Sequence, residues 1–147
     1  MKRTTYIEII SYAFIILFLY TAFSKLFIYG TYVRDLQRSP FIGDFAKPLS
    51  ILLPIAEIVI AVLLFLPKQR LNGLYGSLAL MIAFTAYVSG LVFTQDTLPC
   101  SCGGLIRELT WKQHFFFNAF FTALAGLGIW LSKRKPRIQP AEIGLYV

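Results

Sequence analysis

Residues 49–66 read LSILLPIAEIVIAVLLFL: eighteen positions with a single charge, Glu57, placed near the middle and one turn after Pro54. A run of that length and apolarity matches a helix crossing a hydrocarbon core of ~30 Å, which needs about 20 residues. Three further stretches have the same character, at 7–29, 71–93 and 114–131, so that each of the four has 18 to 23 residues. Alternation with period two is absent, and four segments do not close a barrel, so strands are excluded. The expected fold is all-α: an integral membrane four-helix bundle over residues 1–132, followed by a basic tail at 133–147.

Composition agrees. Of the 147 residues, 57% are hydrophobic, 16% aromatic and only 14% charged, against about 25% charged in a soluble domain. The first stretch is too long for the apolar core of a signal peptide and lacks a small-residue cleavage site after it, so it reads as a retained span. Turn chemistry marks the borders. Gly30 is expected as the C-terminal glycine of the first helix. Ser39-Pro40 reads as an N-cap and first-turn proline opening a short surface helix. Pro67 ends the second span, and Thr110-Trp111-Lys112-Gln113 fits a capping box. Trp111 and Trp130 are 19 positions apart, roughly 29 Å along a helix, which matches two interfacial aromatic belts.

The formal charge is +7, and the cations sit at span ends rather than beside stacking motifs, so nucleic acid is not the expected partner. With four spans, the side holding both termini and the 67–72 turn carries Lys2, Arg3, Lys68, Arg70, Lys133, Arg134, Lys135 and Arg137. The opposite side carries Arg34, Arg38, Lys47, Arg107 and Lys112. Eight against five predicts both termini in the cytoplasm of a bacterial inner membrane, with the 94–109 loop on the periplasmic side. The basic cluster at 133–137 is a topology anchor beside the lipid headgroups. Small residues make two stripes: Gly76, Ala79, Ala83, Ala86 and Gly90 on the third span, and Ala119, Ala123 and Gly126 on the fourth. Both are expected to pack helices closely.

The most specific chemical signal is Leu98-Pro99-Cys100-Ser101-Cys102-Gly103-Gly104. These are the only two cysteines, and the loop that holds them is long for a helical hairpin. A disulfide between Cys100 and Cys102 closes a small strained ring, which is easier to reduce and hence more oxidising. It would stabilise the fold little, because the loop it closes is so short. Arg107 and Lys112 favour thiolate, and His114 titrates near neutral pH, so Cys100, Cys102 and His114 form a candidate catalytic group. The same three residues as metal ligands match no common zinc spacing, and no metal is expected. His114, Asn118 and Thr122 are spaced i, i+4, i+8 and make a polar stripe running into the membrane. It is either a proton or cofactor path or a set of interhelical hydrogen bonds. Lys25, near the outer end of the first span, and Glu57 are expensive inside a bilayer and are expected to approach each other. They serve either as an ion pair fixing register or, with Asn118, as a proton-relay or quinone-binding group.

Ser24-Lys25-Leu26, Ser39-Pro40, Pro54 with Glu57, the Cys-x-Cys-Gly loop, Trp111 and Asn118 resemble, in this order, the MauE family, a branch of the DoxX-like redox-associated membrane proteins. The resemblance runs over residues 12 to 130. It implies four membrane helices and a part in disulfide formation or thiol transfer, as in the maturation of methylamine dehydrogenase. It gives Cys100 and Cys102 the redox positions, and Lys25 and Glu57 the polar positions within the membrane. Gly103-Gly104 departs from the family pattern, which has an aromatic between the second cysteine and a glycine. The functional expectation is a membrane thiol–disulfide redox protein acting with an extracytoplasmic thioredoxin-like or cysteine-containing partner. The alternatives are a non-catalytic subunit of a larger membrane complex and, more remotely, a small transporter built on Lys25 and Glu57.

Overall fold

The computed structural model describes residues 2–39, 41–94 and 111–134, apart from the side chains of Leu91, Thr94 and Trp111. Five α-helices appear: α1 (Lys2–Phe27), α2 (Tyr29–Arg38), α3 (Ala46–Phe65), α4 (Arg70–Thr94) and α5 (Trp111–Lys133), with one turn of 3-10 helix at Gly43–Phe45 before α3. No strand occurs among the described residues. Four of the helices are long and apolar enough to cross a membrane. They form a ring in which α1 packs on α3 and α5, and α4 on α3 and α5.

Each long helix buries one narrow stripe. On α1 it is Ile10, Phe14, Phe18, Ala22 and Lys25, spaced by one helical turn; on α3 it is Ser50, Pro54, Glu57, Ala61 and Leu64. The remaining faces stay apolar: Ile9, Ile16, Phe23, Ile55, Val59, Phe65, Phe116 and Phe120 are all more than half exposed. Water would drive such faces together, whereas lipid tails solvate them, so the exposure is that of a bundle whose solvent is lipid.

One end of the bundle gathers the start of α1, the α3–α4 turn and the end of α5. Arg3 donates to the Arg134 carbonyl at 2.9 Å, Arg70 Nε donates to Leu64 O at 3.3 Å, and Arg70 lies 3.8 Å from the Glu8 carboxylate. Trp130 is exposed at this end, with the Arg134 guanidinium 4.0 Å over its ring. The other end carries α2. The chain does not stop at Gly30: α1 ends at Phe27, Ile28 alone leaves helical geometry, and α2 then runs through Gly30. The reason is that α2 is amphipathic. It buries Tyr32 and Leu36 against Ala46, Ile42 and Leu49 and exposes Arg34, Gln37 and Arg38, the pattern of a helix at a membrane surface. Ser39 is likewise a C-cap and not an N-cap. Its N–H reaches Leu36 O at 3.1 Å, and its hydroxyl accepts from the Tyr87 hydroxyl at 2.8 Å. Pro40 and Thr110 lie outside the described residues. The second span ends as expected before Pro67, with Leu66 as C-cap.

The small-residue stripes make only part of the helix contacts expected of them. Ala79, Ala83 and Ala86 are exposed, as is Ala123, and Gly126 has open space around it. The two glycines at the ends of the α4 stripe do touch neighbours, Gly76 against Ile60 and Gly90 against Phe41. The close approaches instead use Gly73, where a Cβ would lie 2.9 Å from both the Leu64 backbone nitrogen and its side chain, and Gly128, packed on Leu74 and Ile10. Spacing marks a face but does not say which face is turned inward, and here bulky Leu74, Met81 and Val88 hold the buried side of α4. Gly73→Ala is therefore expected to push α3 and α4 apart and cost about 1–3 kcal/mol. Gly126→Ala should be neutral or mildly stabilising, because a helix prefers alanine to glycine. Thermal unfolding of both variants in the same detergent checks this.

Candidate functional site

The buried polar residues converge on one region. Lys25 lies in the last turn of α1, where the helix dipole favours a cation, and its ammonium donates to Glu57 Oε1 on α3. The two residues are 3% and 0% exposed. The sequence named both, and the structure brings them together. Glu57 Oε2 makes no hydrogen bond among the described residues, and the Thr21 side chain lies beside the carboxylate. Lys25 also stands 5.2 Å above the Phe84 ring of α4, so the one cation ties its own helix to two others. One turn before Glu57, Pro54 has no N–H to give to the Ser50 carbonyl. Around that weakened rung the Ser50 hydroxyl donates to Lys47 O at 2.6 Å and sits 3.0 Å from the Tyr29 hydroxyl.

A cavity of about 190 Å³ opens beside the pair. Lys25, Glu57, His114 and Asn118 all line it, so four of the six residues picked out by the sequence share one internal space. Its walls are otherwise mostly apolar, among them Leu53, Phe84 and Phe117; Thr21 and Tyr87 line it too, as do Tyr32 and Leu36 of α2. His114 is 5% exposed and Asn118 4%, with the amide nitrogen of Asn118 3.4 Å from His114 Nε2. The third member of that stripe has a plainer role. Thr122 donates to Asn118 O at 2.7 Å and meets the Thr85 hydroxyl across the α4–α5 interface at 3.2 Å, an interhelical polar contact worth about 1 kcal/mol.

Cys100 and Cys102 lie outside the described residues, as do Gly103, Gly104 and Arg107. Their chain neighbours fix the end of the bundle that they connect. The C-terminal part of α4 touches the α2 end through Gly90–Phe41 and Tyr87–Ser39, and α5 starts three residues before His114. Sequence reasoning missed Tyr32, Tyr87 and Phe84. The amphipathic pattern of 29–38 was the available signal for Tyr32, while Tyr87 and Phe84 look like any aromatic in an apolar span.

The ion pair gives a direct test. Removing one partner strands a charge in the bundle interior and typically costs about 3–5 kcal/mol, whereas replacing both with apolar groups of similar volume is often neutral. Lys25→Met and Glu57→Met should each lower the unfolding temperature strongly, and the Lys25→Met/Glu57→Met double variant should recover most of the loss. A double-mutant cycle on thermal unfolding in detergent measures it.

A family model described as methylamine utilisation protein MauE matches residues 3–131, which takes in all five helices almost entirely. No curated protein and no solved structure matches the chain. The matched stretch covers both partners of the buried pair, the cavity and the cysteine segment, and on this ground the chain belongs to the MauE family.

Proposed function

We propose that this MauE-family membrane protein is a thiol–disulfide redox protein that supports disulfide formation in proteins outside the cytoplasm. The observation that carries the reading is the position of Cys100-Ser101-Cys102. In the sequence the pair falls between α4 and α5, and the end of α4 and the start of α5 lie at the bundle end with α2 and His114. The excess of Lys and Arg at the opposite end supports a cytoplasmic assignment for that end, and with it an extracytoplasmic side for the cysteine segment, where disulfides persist.

The chemistry is an exchange that balances by itself. A thiolate of the partner attacks one sulfur of the Cys100–Cys102 disulfide, the S–S bond breaks, and a mixed disulfide forms with the second loop sulfur leaving as thiolate. A second partner thiolate then attacks the mixed disulfide, so that the partner is oxidised and the loop is left as a dithiol. The partner is a thioredoxin-like or cysteine-containing protein. Lys112, exposed in the first turn of α5, adds positive charge that favours the leaving thiolate.

Alkylation trapping in intact cells tests this. The loop should be found partly oxidised, and Cys102→Ser or Cys100→Ser should accumulate a mixed disulfide with one partner while that partner's thiols stay reduced. Loop cysteines that are fully reduced under all conditions, together with an unchanged redox state in every extracytoplasmic protein, would sink the reading. A stable membrane complex whose activity survives both serine substitutions would favour a non-catalytic subunit instead.

A further inference from the structure

We propose that the cavity between α1, α3, α4 and α5 is a binding site for the head ring of a lipid-soluble quinone, entered from the membrane beside Ala83. Ala83 is exposed on the outer face of α4 and at the same time lines the cavity. α3 and α4 are held together at their turn by Gly73 and Gly76, whereas farther along, beside Leu53 and Ala83, the cavity lies between them. A mouth on that face is reached by a ligand dissolved in lipid.

The interior suits an aromatic ring that carries oxygen substituents. Its volume of about 190 Å³ compares with roughly 150 Å³ for an apolar cavity that takes up benzene. Phe84 and Phe117 supply aromatic walls. Polar groups come from two places: the Lys25–Glu57 pair on α1 and α3, and the His114–Asn118 pair on α5. The ammonium of Lys25 has protons beyond the one given to Glu57, and one of them is a donor for a quinone carbonyl. Glu57 Oε2, fully buried and without a hydrogen-bond partner among the described residues, is an acceptor for the hydroxyl of the quinol. A buried oxygen in that condition is costly unless a ligand or water completes it. The site therefore offers complementary groups to both redox states of one ligand.

This inference rests on the thiol–disulfide reading for its source of electrons, although ring binding does not. The chain has two cysteines and no second pair to relay electrons. Regenerating the loop needs a two-electron acceptor: the Cys100 and Cys102 thiols form one S–S bond, and the two electrons and two protons released convert quinone to quinol.

The experiment is equilibrium binding of ubiquinone-1 to the purified full chain in detergent. Saturable binding is expected, unchanged in the Cys100→Ser/Cys102→Ser variant. It should be weakened about tenfold or more, some 1.4 kcal/mol, by Ala83→Phe, which fills the mouth from the lipid face, and by Glu57→Gln. If Glu57→Gln does not fold, Ala83→Phe decides alone, since its position is on the exterior. Absence of saturable binding, equal affinity for the wild type and Ala83→Phe, or displacement by geranylgeraniol as effective as by ubiquinone-1 would overturn the proposal. The last result would mean that the cavity takes an apolar chain only. Cavity-dependent binding in a protein whose thiols never cycle leaves the site standing and removes the redox reading. Cycling thiols with no bound ubiquinone-1 do the reverse.

Discussion

The Lys25–Glu57 ion pair is the constraint around which the bundle is organised. Hydrophobicity cannot hold helices together in lipid, because a leucine gains nothing by leaving one hydrocarbon for another. Two buried opposite charges do gain, since each is far costlier alone than paired. The pair joins α1 to α3, and the contact of Lys25 with Phe84 extends it to α4. Once these three helices are in register, α5 closes the ring through Phe14–Phe121 at 5.3 Å between ring centroids and through Thr85–Thr122.

Packing away from the pair follows from the same solvent. Large aliphatic and aromatic residues point outward at no cost in lipid. The inward faces mix bulk at the core, as in Phe14, Phe18, Leu64 and Leu74, with glycine wherever two backbones must meet. The tight contacts of Gly73 and Gly76 lie at the α3–α4 turn, and Gly128 is packed one turn before the end of α5. The half of the bundle toward α2 is looser, and it holds the cavity.

The cavity gathers the buried polar side chains Lys25, Glu57, His114 and Asn118. The amphipathic helix contributes Tyr32 and Leu36 to the cavity lining, and Ser39 ties its end to Tyr87. α4 ends and α5 begins at the α2 end of the bundle, on either side of the cysteine segment in the sequence.

Four long spans were legible in the sequence, because length and apolarity alone dictate a helix where backbone groups find no water. Lys25, Glu57, His114 and Asn118 were legible for the same reason, as polar residues in segments that disfavour them. The cysteine pair stood out by composition, and the family resemblance rested on it and on these residues together. The inward face of each helix was not legible. Small-residue spacing suggested Gly76 to Gly90 and Ala119 to Gly126, but a stripe recurs on every side of a helix rich in alanine and glycine, and period carries no direction. Nor did local signals at Gly30 and Ser39 settle how the first span ends, since α2 is placed by the burial of Tyr32 and Leu36 against α3. The sequence determined which solvent the chain lives in and which residues cannot tolerate it. Only the tertiary structure decided that those residues share a single cavity, because their meeting depends on helix rotation and register, which are set by contacts between segments and not within them.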